Sequence, residues 1–165
     1  MAVTDQRETP IRQKPLLVLV SGAPATGKTT LARHLADALA LPLLARDTIT
    51  NIVADAFGAP TRDQRDARIQ ASFAIYYGLL DEFARAGLGV VTETNFHRGV
   101  SERDLHPRIA CTRALLIHCQ TTREVSVRRF IERFERGERH PASFDGERIA
   151  RLQAGEPQPA WERAV

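Results

Sequence analysis

The feature that most constrains the fold is the run Gly22-Ala-Pro-Ala-Thr-Gly27-Lys28-Thr29, which matches G-x-x-x-x-G-K-[ST] at every fixed position. A continuous apolar run, residues 16–21, precedes it, as is typical of a strand covered on both faces. Residues 29–40 follow, with Leu31, Leu35 and Leu39 on one predicted helical face. The sequence therefore predicts a buried strand, a glycine loop and an amphipathic helix in succession.

Each part of this loop has chemistry that suits a phosphate group. Glycines at both ends allow backbone angles that a side chain would forbid, and N–H groups at a helix N-terminus form an anion-binding nest. Lys28 places a compact charge on the β- and γ-phosphates, and the Thr29 hydroxyl is a suitable Mg²⁺ ligand. We predict that this Walker A loop binds ATP and Mg²⁺ through Gly22, Ala23, Pro24, Ala25, Thr26, Gly27, Lys28, Thr29 and Thr30.

The overall charge is only weak support for a polynucleotide partner. The net charge is +3, and nearly all of the 23 basic residues are arginines, with lysine only at positions 14 and 28. A compositional bias produces such a balance without any basic face. The two cysteines have no metal-ligand spacing with the histidines, and no apolar stretch has the length of a membrane span or a signal peptide. We expect a cytoplasmic protein with no membrane partner.

Strands alternate with helices along the chain, which predicts an α/β fold. We expect a three-layer P-loop NTPase fold with a parallel sheet of four to five strands and helices on both faces. Residues 1–14 are predicted to be a flexible arm, and residues 15–165 a single domain. The further predicted strands are 41–45, 88–92 and 114–119, and the further predicted helices are 47–57, 63–86, 101–109, 122–134 and 145–154. Ser21, Asp47 and Glu93 then lie on the rim where such folds bind ligands.

Residues 16–53 resemble the AAA-type P-loop kinases, a group that includes polynucleotide 5′-kinases, gluconate kinase, zeta-type toxins and chloramphenicol phosphotransferase. In that group an Asp opens a helix after the second strand, and Asp47 matches this position. The resemblance implies that Asp47 is the general base, or orients the acceptor hydroxyl; a helix N-cap is the structural alternative. Polynucleotide kinases carry an Arg three or four residues later, where this chain has Thr50 and Asn51.

The end of the third strand, Thr92-Glu93-Thr94-Asn95-Phe96, is similar to an Asp-x-Thr-Asn-like run of the same relatives. The resemblance implies that Glu93 holds a water on Mg²⁺ or touches the acceptor, and that Asn95 hydrogen-bonds the acceptor. Arg98 in the following loop is predicted to contact substrate. Strand-end capping and turn chemistry are the alternative for Glu93 and Asn95.

An Arg-rich segment follows the fourth strand. Arg129 and Arg133 are four residues apart and face one way on a helix. The resemblance implies a lid over about residues 120–144 whose arginines close on the γ-phosphate. A solvated face interleaved with Glu132 and Glu135 is the alternative. Arg139 lies in the turn-rich loop beyond, as the lid tip or a substrate contact. The predicted catalytic residues are Asp47, Lys28, Arg129 and Arg133.

These features together favour an ATP-dependent kinase that transfers the γ-phosphate to a hydroxyl of a small molecule such as a nucleoside, sugar or antibiotic. One alternative acceptor is the 5′-hydroxyl end of a polynucleotide. Another alternative is a non-catalytic nucleotide-binding regulatory protein. The last gains support because residues 150–165 contain no apolar run for the fifth strand that these relatives usually have.

Overall fold

A computed structural model describes residues 13–58 and 61–162. Its centre is a parallel sheet with the strand order β2-β3-β1-β4. The strands are β1 (Leu16–Gly22), β2 (Leu43–Ala45), β3 (Val90–Glu93) and β4 (Arg113–Cys119). The predicted α/β fold class is confirmed. Residues 1–12 of the predicted N-terminal arm lie outside the described residues.

Six helices of the described residues begin and end close to their predicted bounds, and a short helix in the tail was not predicted. They are α1 (Lys28–Leu39), α2 (Arg46–Phe57), α3 (Arg62–Ala86), α4 (Ser101–Cys111), α5 (Arg123–Glu135), α6 (Asp145–Gln153) and α7 (Pro159–Glu162), with a 3₁₀ turn at Pro141–Ser143. Thr122 caps α5, because its side chain accepts a hydrogen bond from the Val125 N–H. No helix in the described ranges is long and apolar enough to cross a membrane.

The central strand β1 is buried on both faces, as its unbroken apolar run predicts. Leu17 and Leu19 pack with Tyr76 and Leu80 of α3 in one core. Val18 and Val20, on the opposite face, pack against Ala32 and Ala36 of α1 in a second core. A helix layer therefore covers each face of the sheet.

A buried hydrogen-bond chain ties α3 to two strands at the site end of the sheet. The Thr92 hydroxyl donates to the Leu44 carbonyl oxygen at 2.7 Å. Since that hydroxyl has one proton, it accepts from the Tyr76 hydroxyl, which lies 2.6 Å away. Both side chains are fully buried. This chain links α3, β3 and β2 directly beside Glu93, the last residue of β3.

Two local arrangements are not evident from the sequence pattern. The buried face of α1 is formed by Lys28, Ala32 and Ala36, whereas Leu39 is 44% exposed. Alanines allow the α1 backbone to approach the sheet closely, so the leucines lie at the flanks of that contact. Ser101 is not the cap of α4; it is the first helical residue, and its hydroxyl accepts from the His97 N–H at 2.9 Å.

The far side of β4 carries no further strand within the described part of the chain. The C-terminal tail packs on α5 instead, through Trp161. Its indole N–H donates to the Ser126 hydroxyl at 2.8 Å, and its ring meets Phe130 edge-on at 5.2 Å. The described sheet therefore has four strands, the smaller of the two predicted numbers, and Leu115 and Leu116 of β4 remain half exposed.

Candidate functional site

The glycine loop connects β1 to α1 with backbone angles that suit its two glycines. Gly22 has φ 141°, and a Cβ there would lie 2.9 Å from Thr26 Oγ1 and against the Cys119 carbonyl group. Gly27 has φ 95° and is the N-cap of α1 without any side-chain cap. The Leu31 N–H donates to the Gly27 carbonyl at 3.0 Å, so the helical N–H groups before it have no helical partner. This is the geometry of an anion cradle.

Lys28 lies inside this cradle and is almost completely buried. Its Nζ donates to the Ala23 carbonyl oxygen at 2.7 Å, across the loop. Burial lowers the pKa of Lys28, while the nearby carboxylates of Glu93 and Asp47 act in the opposite direction. A partly desolvated ammonium that bridges its own loop is well placed to bind a phosphate oxygen.

Thr29 and Glu93 place two oxygen ligands beside the cradle. The Thr29 hydroxyl donates to Glu93 Oε1 at 3.2 Å, from the first turn of α1 to the end of β3. Burial raises the pKa of Glu93, and the charge of Lys28 opposes this shift. Hydroxyl and carboxylate oxygens are the donors that Mg²⁺ prefers, usually with few protein ligands plus substrate phosphates. The described residues hold no cluster of three or more His, Cys, Asp or Glu that could bind a metal.

Asp47 lies in the first turn of α2, after Ala45 at the N-cap position and Arg46 at the first helical position. The N-cap alternative for Asp47 is therefore wrong. Its side chain is 56% exposed, with Oδ1 3.5 Å from Arg46 and Oδ2 3.9 Å from Arg139. An exposed carboxylate at the rim, close enough to influence the pKa of Lys28, is accessible to an acceptor.

Arg129 and Arg133 both lie on α5, and their contact with the γ-phosphate stays a prediction. Arg129 is exposed, and Arg133 pairs with Glu138 at 3.7 Å. Arg139 is the arginine of this segment that faces Asp47. Burial acts to lower the pKa of Arg139, but the hydrogen bond to Asp145 and the attraction of nearby carboxylates raise it overall. Helical spacing could not find Arg139, because it lies in the loop that follows α5.

The loop after β3 holds the remaining predicted substrate contacts. Thr94 N–H donates to the Val20 carbonyl at 3.3 Å, so the chain stays beside β1 for one residue past β3. Asn95 is half-buried just beyond this point. Arg98 is exposed further along, where its charge acts on Glu102. The structure thus brings Lys28, Thr29, Glu93 and Asp47 together, and both Asn95 and Arg98 stay predictions.

Comparisons with known proteins identify the family and the fold. The sequence profile of the family described as "AAA domain" matches residues 17–159. No curated protein matches the sequence. A candidate kinase from Chloroflexus aurantiacus J-10-fl is 29% identical, with 79% of this chain and 71% of that chain covered and a TM-score of 0.71.

Two more distant structures share the fold. A chain of the Pnkp1/Rnl/Hen1 RNA repair complex is 19% identical, with 88% of this chain and 46% of that chain covered and a TM-score of 0.63. A sugar kinase from Janibacter sp. HTCC2649 is 22% identical, with 83% and 76% covered and a TM-score of 0.51. The matched family residues span most of the chain, from β1 to the start of α7. This chain therefore belongs to the AAA domain family and has the P-loop fold of the kinase-like group that its sequence resembles.

Proposed function

We propose that the chain is an ATP-dependent kinase that transfers the γ-phosphate to a hydroxyl group of a small molecule. The observation that carries this proposal is the convergence of three different groups at one rim. These are the cradle with Lys28, the Thr29–Glu93 oxygen pair, and the exposed Asp47 carboxylate. Phosphoryl transfer needs little beyond positioning, charge neutralisation and a carboxylate near the attacking oxygen.

The proposed roles follow from the position of each group. Lys28 and the loop N–H groups bind the β- and γ-phosphates. Mg²⁺, held by the Thr29 hydroxyl and through water by Glu93, would neutralise charge on those phosphates. Asp47 accepts the proton of the acceptor hydroxyl while the oxygen of that hydroxyl bonds to the γ-phosphorus. The bond from that phosphorus to the β,γ-bridging oxygen breaks, and ADP leaves with the electron pair.

Arginine contacts to the transferred phosphate belong to the same proposal. Arg139 lies 3.9 Å from Asp47 and is the first choice for stabilising charge in the transition state. Arg129 and Arg133 remain proposed lid arginines that would act after lid closure, and Asn95 and Arg98 remain proposed acceptor contacts. Alanine variants at these four positions rank them against Arg139→Ala in one transfer assay.

The acceptor class rests on α2. The Chloroflexus relative supports a kinase, while the Janibacter sugar kinase and the RNA repair complex share the fold alone. Thr50 and Asn51 stand on α2 where polynucleotide kinases carry an Arg, which favours a small acceptor over a polynucleotide end.

The test is transfer of labelled γ-phosphate from Mg·ATP into a pool of nucleosides, sugars, aminoglycoside-like antibiotics and a 5′-hydroxyl oligonucleotide. Label in a small product supports the proposal, and label on the oligonucleotide would replace it with the polynucleotide alternative. If ATP binds but no acceptor is labelled, the kinase proposal fails for these classes and the non-catalytic alternative gains support.

Variants then separate the roles. Lys28→Ala should lose ATP binding and transfer together. Asp47→Asn should keep its ATP affinity and lose transfer by roughly 10²- to 10⁴-fold, the usual contribution of a positioned base. Asp37→Asn, at an exposed site on α1, is the matched control and should transfer at the wild-type rate. A normal rate for Asp47→Asn would show that Asp47 is not the base.

A further inference from the structure

Asp145, the first residue of α6, has a side chain with no exposed surface. Its Oδ2 accepts a hydrogen bond from Arg139 Nε at 2.6 Å. Its Oδ1 lies 3.6 Å from Arg148 Nη1, one turn further along α6. Arg139 reaches Asp47 with the other end of its guanidinium, through Nη1. One buried carboxylate therefore lies between two arginines, one of which extends to the rim.

The arrangement is energetically constrained. A carboxylate removed from water is tolerated only when it is paired, and breaking such a pair leaves an uncompensated buried charge. Arg139 cannot swing away freely, because Asp145 would lose its closest partner. Asp145 engages the Nε edge of the guanidinium, so the terminal nitrogens stay available on the side of Asp47.

Neighbouring contacts hold the same unit in place. The 3₁₀ turn between Arg139 and Asp145 packs against α2, the helix that carries Asp47. α6 packs against α5, where a Cβ added at Gly146 would lie 3.4 Å from the Phe134 ring. The packing of the 3₁₀ turn on α2 and of α6 on α5 thus sets the position of Arg139 relative to Asp47. The hydrogen bond to Asp145 holds the arginine there.

We propose that Asp145 is a positioning residue, which holds Arg139 so that its terminal nitrogens face the transferred phosphate and Asp47. This inference rests on the proposed kinase function and assigns Asp145 no contact with substrate. Arg148 lies beside the second carboxylate oxygen, so that Asp145 keeps a cationic partner when Arg139 engages a phosphate. The acidic residue after the lid loop is then as necessary for transfer as the arginine that it holds.

The first experiment compares binding of Mg·ADP with binding of Mg·ADP plus aluminium fluoride, which mimics the transferred phosphate and needs no acceptor. Asp145→Asn should keep its ADP affinity and lose affinity for the fluoride complex by about 10- to 100-fold, as expected for a misplaced charge-stabilising group. Glu147→Gln is the matched control, since Glu147 lies on the same helix and pairs with Arg65 at a solvent-exposed site. It should bind both complexes like the wild type.

A double-mutant cycle decides whether Asp145 acts through Arg139. The double variant Arg139→Ala/Asp145→Asn should bind the fluoride complex no more weakly than Arg139→Ala alone. If the affinity losses of the two single variants multiply in the double variant, the two residues act independently and the proposal is overturned. Equal losses of affinity for ADP and for the fluoride complex in Asp145→Asn would show a merely structural role and would also overturn it.

A third measurement needs no nucleotide. In ¹⁵N-labelled protein the Arg139 Nε–H resonance should be protected from solvent exchange in the wild type and in Glu147→Gln. It should lose this protection in Asp145→Ala, which has no side-chain acceptor for this N–H. Unchanged protection would overturn the proposal even if Asp145→Ala is less stable, because it would mean that Arg139 is held elsewhere. If the wild type labels no acceptor, the kinase function fails, but the binding and exchange measurements still decide the role of Asp145.

Discussion

Replacing Gly22 by alanine tests whether the cradle depends on close contact between the loop and the end of β4. An added Cβ would lie 2.9 Å from Thr26 Oγ1, which is 0.5 Å short of ordinary contact at 3.4 Å, and it would press on the Cys119 carbonyl group. Thr26 is itself held by a hydrogen bond to the Ala23 carbonyl at 2.8 Å. The Cys119 carbonyl is backbone, paired in register with Gly22. Neither neighbour can move without disturbing the loop or the β1–β4 ladder.

Two costs add at Gly22. An L-residue held at φ 141° costs about 1–3 kcal/mol, and overpacking against backbone costs about 1–3 kcal/mol more. We therefore expect Gly22→Ala to lower the free energy of unfolding by about 2–6 kcal/mol and to weaken nucleotide binding. Gly99→Ala is the matched control, because Gly99 has φ 75° and no atom within 4 Å of an added Cβ. It should show the backbone cost alone.

Urea unfolding, followed by circular dichroism, measures both variants against the wild type, with nucleotide affinity measured separately by titration. The comparison removes the shared cost of a positive φ. Equal losses of stability in Gly22→Ala and Gly99→Ala would refute the steric argument and show that the loop has room to move away from Cys119.

Two further predictions concern the buried groups beside the site. Thr92→Val leaves both the Tyr76 hydroxyl and the Leu44 carbonyl without their partner, whereas Tyr76→Phe removes one donor only. The free energy of unfolding, measured with urea, should therefore fall by about 2–4 kcal/mol in Thr92→Val and by about 1 kcal/mol in Tyr76→Phe. The reverse order would contradict the donor assignment. Burial raises the pKa of Glu93 above its unfolded value, so native protein takes up this proton first as the pH falls. The unfolding free energy of wild type minus that of Glu93→Gln should therefore increase as the pH falls from about 7 to about 5, and a constant difference would mean that the pKa of Glu93 is not raised.

The loop and the core strand could be predicted from the sequence because their constraints are local. Gly22 and Gly27 have positive φ angles, and the Lys28-Thr29 pair at the start of α1 supplies an ammonium and a hydroxyl group that suit phosphate binding. The apolar run before them is continuous because β1 is covered on both faces. The rim placement of Glu93 and Asp47 also followed, since the carboxyl ends of parallel strands meet at one edge.

The sequence marked Arg139 as the lid tip or a substrate contact, but it could not place this arginine opposite Asp47. Helical spacing correctly puts Arg129 and Arg133 on α5, but spacing says nothing about which face of α5 is covered by α6 and the tail. Arg139 reaches Asp47 because a buried carboxylate in α6 holds it. That contact joins residues through a loop whose path depends on how α6 and the 3₁₀ turn pack.

The sequence by itself determined the loop chemistry, the alternation of strands and helices, and the edge of the sheet at which the site lies, because these depend on neighbours in the chain. Only the tertiary structure decided that Ala32 and Ala36 are the buried apolar residues of α1, that the described sheet stops at β4 with Trp161 packed on α5, and that Arg139 faces Asp47. These features depend on which parts of the chain, distant in sequence, pack together and exclude water. The hydrophobic effect is non-directional, so a pattern of residues along the chain does not specify which surfaces meet.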